Sequence, residues 1–279
     1  MQSRRPCPIR VFWLLVLLAA VFAAGRAWAR PPSPRLVERP DWQRFFDAAG
    51  VTGTMVLARD GAPEMFVFHP GRAATPFLPA STFKILNMAI ALETGAITGP
   101  DELFPYDGVP RALPQWNADL TVRQAFALSC VPVFQQIARR IGQDRMAWYV
   151  AASGYGNADI AGGLDHFWLD GSLRISALEQ IAFLSRLQHG QLPFSPQTRA
   201  TVLDVMVESR TPTTVLRSKT GATGRNRPGV GWYVGMVSRG DEVWYFALNI
   251  DLDATADIPA ALAARKTVAR AILRSQGLF

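Results

Sequence analysis

Apolar positions run in short strand-like blocks near both ends of the chain and recur at helical spacing between them. Residues 51–58 and 64–68, meeting at Asp60-Gly61, predict one β-hairpin; residues 231–238 and 243–251, meeting at Arg239-Gly240-Asp241, predict another. The middle reads as helix over 81–94, 121–141 and 176–189, each closed by a glycine: Gly95, Gly142 and Gly190. Ser176 and Glu179 form a capping box, and Ser195 with Pro196 opens a fourth helix. Residues 257–276 predict a C-terminal helix covering a sheet face. The pattern therefore predicts an α+β fold, with an antiparallel sheet built from N- and C-terminal strands, a mostly helical middle, and a crevice between sheet and helices.

The first 29 residues stand apart. Arg4, Arg5 and Arg10 precede an apolar run over 11–24, and Ala27-Trp28-Ala29 supplies a small-x-small cleavage site. Fourteen helical residues span about 21 Å, short of the roughly 30 Å hydrocarbon core, so a cleaved signal peptide is expected instead of an anchor. Cys7 precedes the run, which argues against a lipid-modified cysteine. The expectation is export to the periplasm of a Gram-negative bacterium, with residues 30–279 as one catalytic domain and Arg30 to Pro34 as its arm. At 49% hydrophobic residues the chain can bury a sizeable core. Its net charge of +7 loses four arginines and no acids with the leader, leaving an ordinary surface without basic runs. No nucleic-acid partner and no stable membrane association are expected, and the oligomeric state is open. Cys130 is then the lone cysteine, so no internal disulfide can form; it reads as a small packed hydrophobe.

Candidate chemistry centres on two of the three lysines. Ser81-Thr82-Phe83-Lys84 sets a hydroxyl and an amine on one helix face, and a base beside a weak nucleophile is what acyl transfer needs. That spacing alone is a weak signal. Lys219-Thr220-Gly221 is rarer, and lies just before the second hairpin, where glycine lets a substrate approach the backbone. Ser-x-x-Lys followed by Lys-Thr-Gly is the signature of penicillin-recognising serine enzymes. The usual Ser-Asp-Asn is replaced by Ser129-Cys130-Val131. Tyr155-Gly156-Asn157 reads either as a turn or as part of a pocket rim. His69, His166 and His189 have no metal-ligand spacing and read as surface residues, so no metal is expected. Trp232, Tyr233, Trp244 and Tyr245 read as sheet packing.

Taken in order, Pro79-Ala80-Ser81-Thr82-Phe83-Lys84, Ser129-x-Val131, Tyr155-Gly156-Asn157, Phe167-Trp168-Leu169-Asp170-Gly171, Lys219-Thr220-Gly221 and Gly231-Trp232-Tyr233-Val234-Gly235 resemble the class D (oxacillinase-type) serine β-lactamases. The resemblance implies hydrolysis of small-molecule β-lactams through an acyl-enzyme on Ser81. It implies a Lys84 carbamylated by carbon dioxide or bicarbonate as general base, with no other cofactor. Val131 and Trp168 would keep that carbamate dry, and Ser129 would pass a proton to the leaving nitrogen. Lys219, Thr220 and Arg265 would hold the substrate carboxylate, with Arg270 as the alternative to Arg265. Backbone N–H groups of Ser81 and Ala222 would form the oxyanion hole. Ala222 stands where many members carry an aromatic residue, which leaves the substrate spectrum open.

The chemistry supports these roles on its own terms. A carbamate needs a neutral amine, so Lys84 must have a depressed pKa, which Phe83, Val131, Trp168 and Leu169 would supply by excluding water. The alternatives are a β-lactam sensor or a penicillin-binding transpeptidase or carboxypeptidase that acylates without efficient turnover. Against a sensor stands the absence of several preceding membrane spans; against a transpeptidase stand the short chain, the missing Ser-Asp-Asn and the Trp168 segment.

Overall fold

The computed structural model describes residues 34–223, 229–252 and 258–279. The leader over 1–29 with Cys7, most of the Pro-rich arm, and Asp257 lie outside the described residues. The strand blocks from both chain ends meet in one sheet. β1 (Arg35–Glu38), β2 (Gly53–Arg59) and β3 (Glu64–Phe68) come from the first end. β4 (Leu103–Phe104) and β5 (Leu120–Thr121) form a separate short ladder in the middle. β6 (Val207–Arg210), β7 (Thr214–Ala222), β8 (Gly229–Arg239) and β9 (Glu242–Leu252) complete the sheet, in the order β1-β3-β2-β9-β8-β7-β6. Both hairpins form where the pattern places them. β2 and β9 join them, with Gly53 opposite Ile250 and Arg59 opposite Trp244. The sheet is mixed, because β1, which the pattern did not mark, pairs parallel with β3.

Alternation along the central strands explains why they read as nearly continuous apolar runs: both faces are covered. Val56, Trp232, Val234, Met236 and Ala247 pack into the larger core under the helical middle. Met55, Leu57, Tyr233, Val237, Phe246 and Leu248 pack into the second core. That second core is closed by α1 (Gln43–Ala48) through Phe46 and by α9 (Ile258–Ser275) through Val268, Ala269 and Ile272. Trp232, Tyr233 and Tyr245 are buried in the sheet, as expected, while His69, His166 and His189 are exposed.

The helical middle contains α2 (Pro70–Ala74), α3 (Lys84–Glu93), α4 (Val122–Ala127), α5 (Val131–Ile141), α6 (Gln143–Ala152), α7 (Ala177–Gln188) and α8 (Pro196–Val205). Two expected helices are corrected. The helix over 81–94 opens as a 3-10 turn, Ala80–Phe83, before becoming α-helical at Lys84. The helix over 121–141 is broken into α4 and α5 between Leu128 and Cys130. Pro132 lacks an N–H and so fits only the first turn of a new helix, and Ser129 takes a left-handed φ of 55°. The break places half-buried Ser129 on the cavity wall instead of within a helix. Both capping serines behave as read: Ser176 accepts from Glu179 N–H, and Ser195 accepts from Thr198 N–H.

Gly235 shows how tightly β7 and β8 fit. A Cβ there would lie 2.1 Å from the Arg217 carbonyl oxygen and 2.9 Å from the Phe246 ring. Gly235→Ala is therefore expected to destabilise the protein by about 2–4 kcal/mol, lowering the melting temperature by roughly 5–15 °C. Gly71→Ala, which meets nothing within 4 Å, is the control and should leave the melting curve in place. Equal melting temperatures for the two variants would show that the strands can part at Gly235 without cost.

Candidate active site

Three segments distant in sequence hold the turn that carries Ser81. Ala80, in front of it, has a left-handed φ of 49°, which a residue with a Cβ adopts only under surrounding constraint. The constraint is visible. Ala80 N–H donates to the Trp168 carbonyl at 2.9 Å, and Trp232 Nε1 donates to the Leu78 carbonyl at 2.8 Å. Thr82 returns its N–H and hydroxyl to the Pro79 carbonyl at 3.1 and 2.8 Å. Strand β7 then presses on the turn: a Cβ at Gly221 would sit 2.8 Å from the Pro79 oxygen and 3.2 Å from Thr82 N. Glycine in the Lys-Thr-Gly run is thus required for close approach to the nucleophile turn.

Lys84 Nζ lies 2.9 Å from Ser81 Oγ, within hydrogen-bonding distance across one helical turn. Its side chain is wholly buried, with the Phe134 ring 5.2 Å from Nζ. Burial lowers its pKa from 10.5 to about 7, the nearby Cys130 acting weakly the other way. The amine is therefore substantially neutral at physiological pH and can accept the Ser81 proton. The dry surroundings are aromatic. Phe83 stacks on Trp168 at 5.3 Å and meets Phe167 edge-on at 4.9 Å and Tyr155 edge-on at 5.8 Å. Trp168 Nε1, buried, has no hydrogen-bond partner, which is a standing cost. Cys130 is buried in the core, and burial pushes its thiol pKa up, as a packed and unreactive group requires.

Ser81 opens onto a cavity of about 880 Å³ whose wall includes Ser129, Val131, Thr220, Ala222 and Arg265. Lys219 is nearly fully buried behind it, donating to Ser129 Oγ at 2.5 Å and to the Thr220 carbonyl at 3.1 Å. Desolvation, with the nearby charges of Lys84 and Arg265, holds its pKa well below the ordinary lysine value. Arg265 donates to the Gly221 carbonyl at 2.5 Å, and burial lowers its pKa only to about 10, so it stays cationic. Arg270 is turned away, donating to Glu208 at 2.6 Å. Thr223 N–H donates to Val230 O across β7 and β8, so antiparallel alternation turns Ala222 N–H to the other edge. β6 ends its pairing on β7 at Arg217, which leaves that edge facing the cavity beside Ser81.

The structure thus gathers Ser81, Ser129, Val131, Thr220, Gly221, Ala222 and Arg265 at one cavity, with Lys84, Trp168 and Lys219 buried in its supporting layer. Tyr155-Gly156-Asn157 is a turn, not a cavity wall. Gly156 has φ 55° with the Arg174 carbonyl where a Cβ would be, and Asn157 bonds the backbone of Ser172 and Arg174. Its tyrosine is buried behind the nucleophile, where Gln180 Nε2 donates to Thr82 Oγ1 at 2.9 Å and to Tyr155 OH at 3.3 Å. Sequence reasoning missed Gln180, and it missed the loop carrying Leu113 and Trp116, which forms an apolar cavity wall. Leu113 and Trp116 flanking Pro114 were the available signal there. Among the described residues no group of three or more His, Cys, Asp or Glu could hold a metal ion.

A buried Ser–Lys pair under the half-paired end of β7, in a sheet covered by helices, defines an active-site-serine acyl-transfer enzyme of the penicillin-recognising fold. The penicillin-binding-protein transpeptidase domain matches residues 54–274. The chain is 42% identical over 265 residues to the β-lactamase OXA-5 of Pseudomonas aeruginosa, covering 94% of this chain and 96% of that one. It is 42% identical over 274 residues to OXA-10 of the same organism, covering 97% and 99%. A class D β-lactamase structure from Nostoc superposes with a TM-score of 0.82 at 40% identity, covering 85% of this chain and 99% of that one. This chain belongs to the class D serine β-lactamases: it hydrolyses the β-lactam ring and confers resistance to these antibiotics.

The depressed Lys84 pKa can be read directly. In buffer freed of carbon dioxide, the Cε resonance of ¹³C-labelled Lys84 is expected to titrate with a midpoint near 7, the neutral form growing as pH rises. A midpoint near 10.5 would show that the amine is solvated and that its burial does not govern its charge.

Proposed function

We propose that hydrolysis runs through an acyl-enzyme on Ser81, with Lys84 carbamylated by carbon dioxide as the general base. The observation that carries this reading is a wholly buried amine 2.9 Å from Ser81 Oγ, together with a buried Trp168 N–H that lacks an acceptor, on the ring stacked against Phe83. A carbamate on Lys84 supplies an anionic oxygen base, and its charge would give that indole N–H a partner. Ser81 would give its proton to the Lys84 base as Oγ attacks the lactam carbonyl, and the carbonyl oxygen would develop charge toward the N–H groups of Ser81 and Ala222. The C–N bond would break as Ser129 gives its proton to the ring nitrogen and takes in return the proton that the Lys84 base removed from Ser81. Water attacking the ester would then give one proton to the same base, which passes it to Ser81 Oγ as the ester C–O bond breaks and the product acid leaves. A positioned base contributes roughly 10²–10⁴ in rate and an oxyanion donor roughly 10²–10³, so both are needed for turnover.

Arg265 and Thr220, on the cavity wall, meet the substrate carboxylate, while Lys219 acts from behind Ser129 as a charge and as its hydrogen-bond donor. In the same reading residues 1–29 are removed on export, and residues 30–279 act in the periplasm on small-molecule β-lactams, without nucleic acid or stable membrane attachment. Among the described residues no helix is long and apolar enough to cross a membrane.

Ser81→Ala is expected to abolish the covalent penicillin adduct in intact-protein mass spectrometry while leaving the circular dichroism spectrum unchanged. An adduct surviving at another residue would overturn the nucleophile. Trp168→Ala should admit water, restore the Lys84 ammonium and slow deacylation, so that product appears as a burst followed by a stall. Added bicarbonate should relieve the stall in part, and lowering the pH below about 7 should deepen it, because the ammonium cannot capture carbon dioxide. Progress curves without bicarbonate dependence, with Trp168→Ala turning over like wild type, would remove the carbamate.

A further inference from the structure

Helix α9 brings Arg265 to the cavity, and the apolar groups that seat it near that residue are small or of medium size. Ala261, Ala264, Val268 and Ala269 are the buried side chains there, and the bulkier Ile272 and Leu273 lie two turns further on. An ion cluster adds a directional hold on this half of the helix. Glu208 Oε1 on β6 accepts from Lys266 Nζ at 2.8 Å and from Arg270 Nη2 at 2.6 Å, the residues on either side of the turn that follows Arg265. Its other oxygen accepts from Tyr233 OH on β8 at 2.8 Å and from Ser218 Oγ on β7. One carboxylate therefore ties α9 to three strands. The positive charges of Lys84, Arg265 and Lys266 disfavour a proton on Lys219, and Glu208 is the opposing charge. Gly231 completes the arrangement, since a Cβ there would lie 3.1 Å from Arg265 Cδ.

We infer that Glu208 is a positioning residue for substrate recognition: by clamping Lys266 and Arg270 it sets the rotation of α9 that aims Arg265 into the cavity. The inference rests on Arg265 as the carboxylate contact. Glu208 touches no substrate and takes no part in proton transfer. Its influence is confined to the part of binding that depends on the substrate anion.

The test is a set of steady-state measurements on purified enzyme with a penicillin and with its methyl ester, which keeps the lactam and loses the charge. Glu208→Gln is expected to raise KM for the penicillin roughly tenfold, with kcat within about twofold, and to leave KM for the ester unchanged. Lys266→Met/Arg270→Met, which cuts the clamp from its half-exposed side, should do the same and carries the test if Glu208→Gln fails to fold. In an Arg265→Ala background, Glu208→Gln should add nothing, because the group it positions is gone. If Arg265→Ala raises KM for the penicillin but Glu208→Gln does not, or if Glu208→Gln impairs the ester equally, the clamp is overturned while the Arg265 contact stands. If Arg265→Ala itself leaves KM for the penicillin unchanged, the carboxylate assignment falls first.

Discussion

Burying one lysine amine is the condition on which the rest of the site depends. Holding Lys84 near 7 instead of 10.5 costs about 5 kcal/mol at 1.36 kcal/mol per pH unit, a large part of the stability of an ordinary domain. The sign follows from linkage: the unfolded chain binds the extra proton between pH 7 and 10.5, so the penalty grows as pH falls across that window and is constant below it. The surrounding core offsets that cost. Phe83, Phe134, Phe167, Trp168 and Tyr155 are each fully buried around the nucleophile, each contributing roughly 1.5–3 kcal/mol of apolar burial. An aromatic core of this size is therefore both a source of stability and the agent that keeps the amine unprotonated.

The same constraint explains why the nucleophile turn is held from three directions. Ser81 must face the cavity while Lys84, one turn later, stays out of it. A regular helix entered from a relaxed loop would let both side chains swing together. Here the left-handed Ala80, the Trp168 carbonyl and the Trp232 indole fix the entry, and Gly221 lets β7 close over it. The sheet contributes β8 for support, through Trp232, and the half-paired end of β7 for recognition, so adjacent strands serve packing and chemistry.

Much of this was legible in the sequence because it rests on local signals. Both hairpins, the capped helices at Ser176 and Ser195, and the Ser81–Lys84 spacing depend on residues close together in the chain. The failures share a cause. Continuous helical patterning ran across Ser129 because Leu128 and Cys130 are apolar, and the chain break depends on Pro132 and on a hydrogen bond from Lys219 ninety residues away. β7 carries Lys219, Thr220 and Gly221 but reads poorly as a strand, since Arg217, Ser218 and Lys219 bury polar groups that a pattern of apolar residues cannot anticipate. Tyr155-Gly156-Asn157 was recognisable as a turn, yet that its tyrosine lies behind Thr82 is a tertiary fact.

Lys84 and Lys219 stand in one electrostatic system, and the state of one sets the state of the other. With Lys84 as an amine, any proton it carries repels the Lys219 ammonium, adding to the desolvation that already lowers Lys219. In the proposed carbamylated state Lys84 becomes an anion, and its influence on Lys219 changes sign. The Lys219 ammonium is then favoured, its hydrogen bond to Ser129 Oγ is strengthened, and the Ser129 proton is left free to face the leaving nitrogen. Carbon dioxide would thus arm two sites with one modification: the base that activates Ser81 and the donor that completes ring opening. A buried pair of lysines, costly as two cations, becomes a stable arrangement once one of them carries the opposite charge.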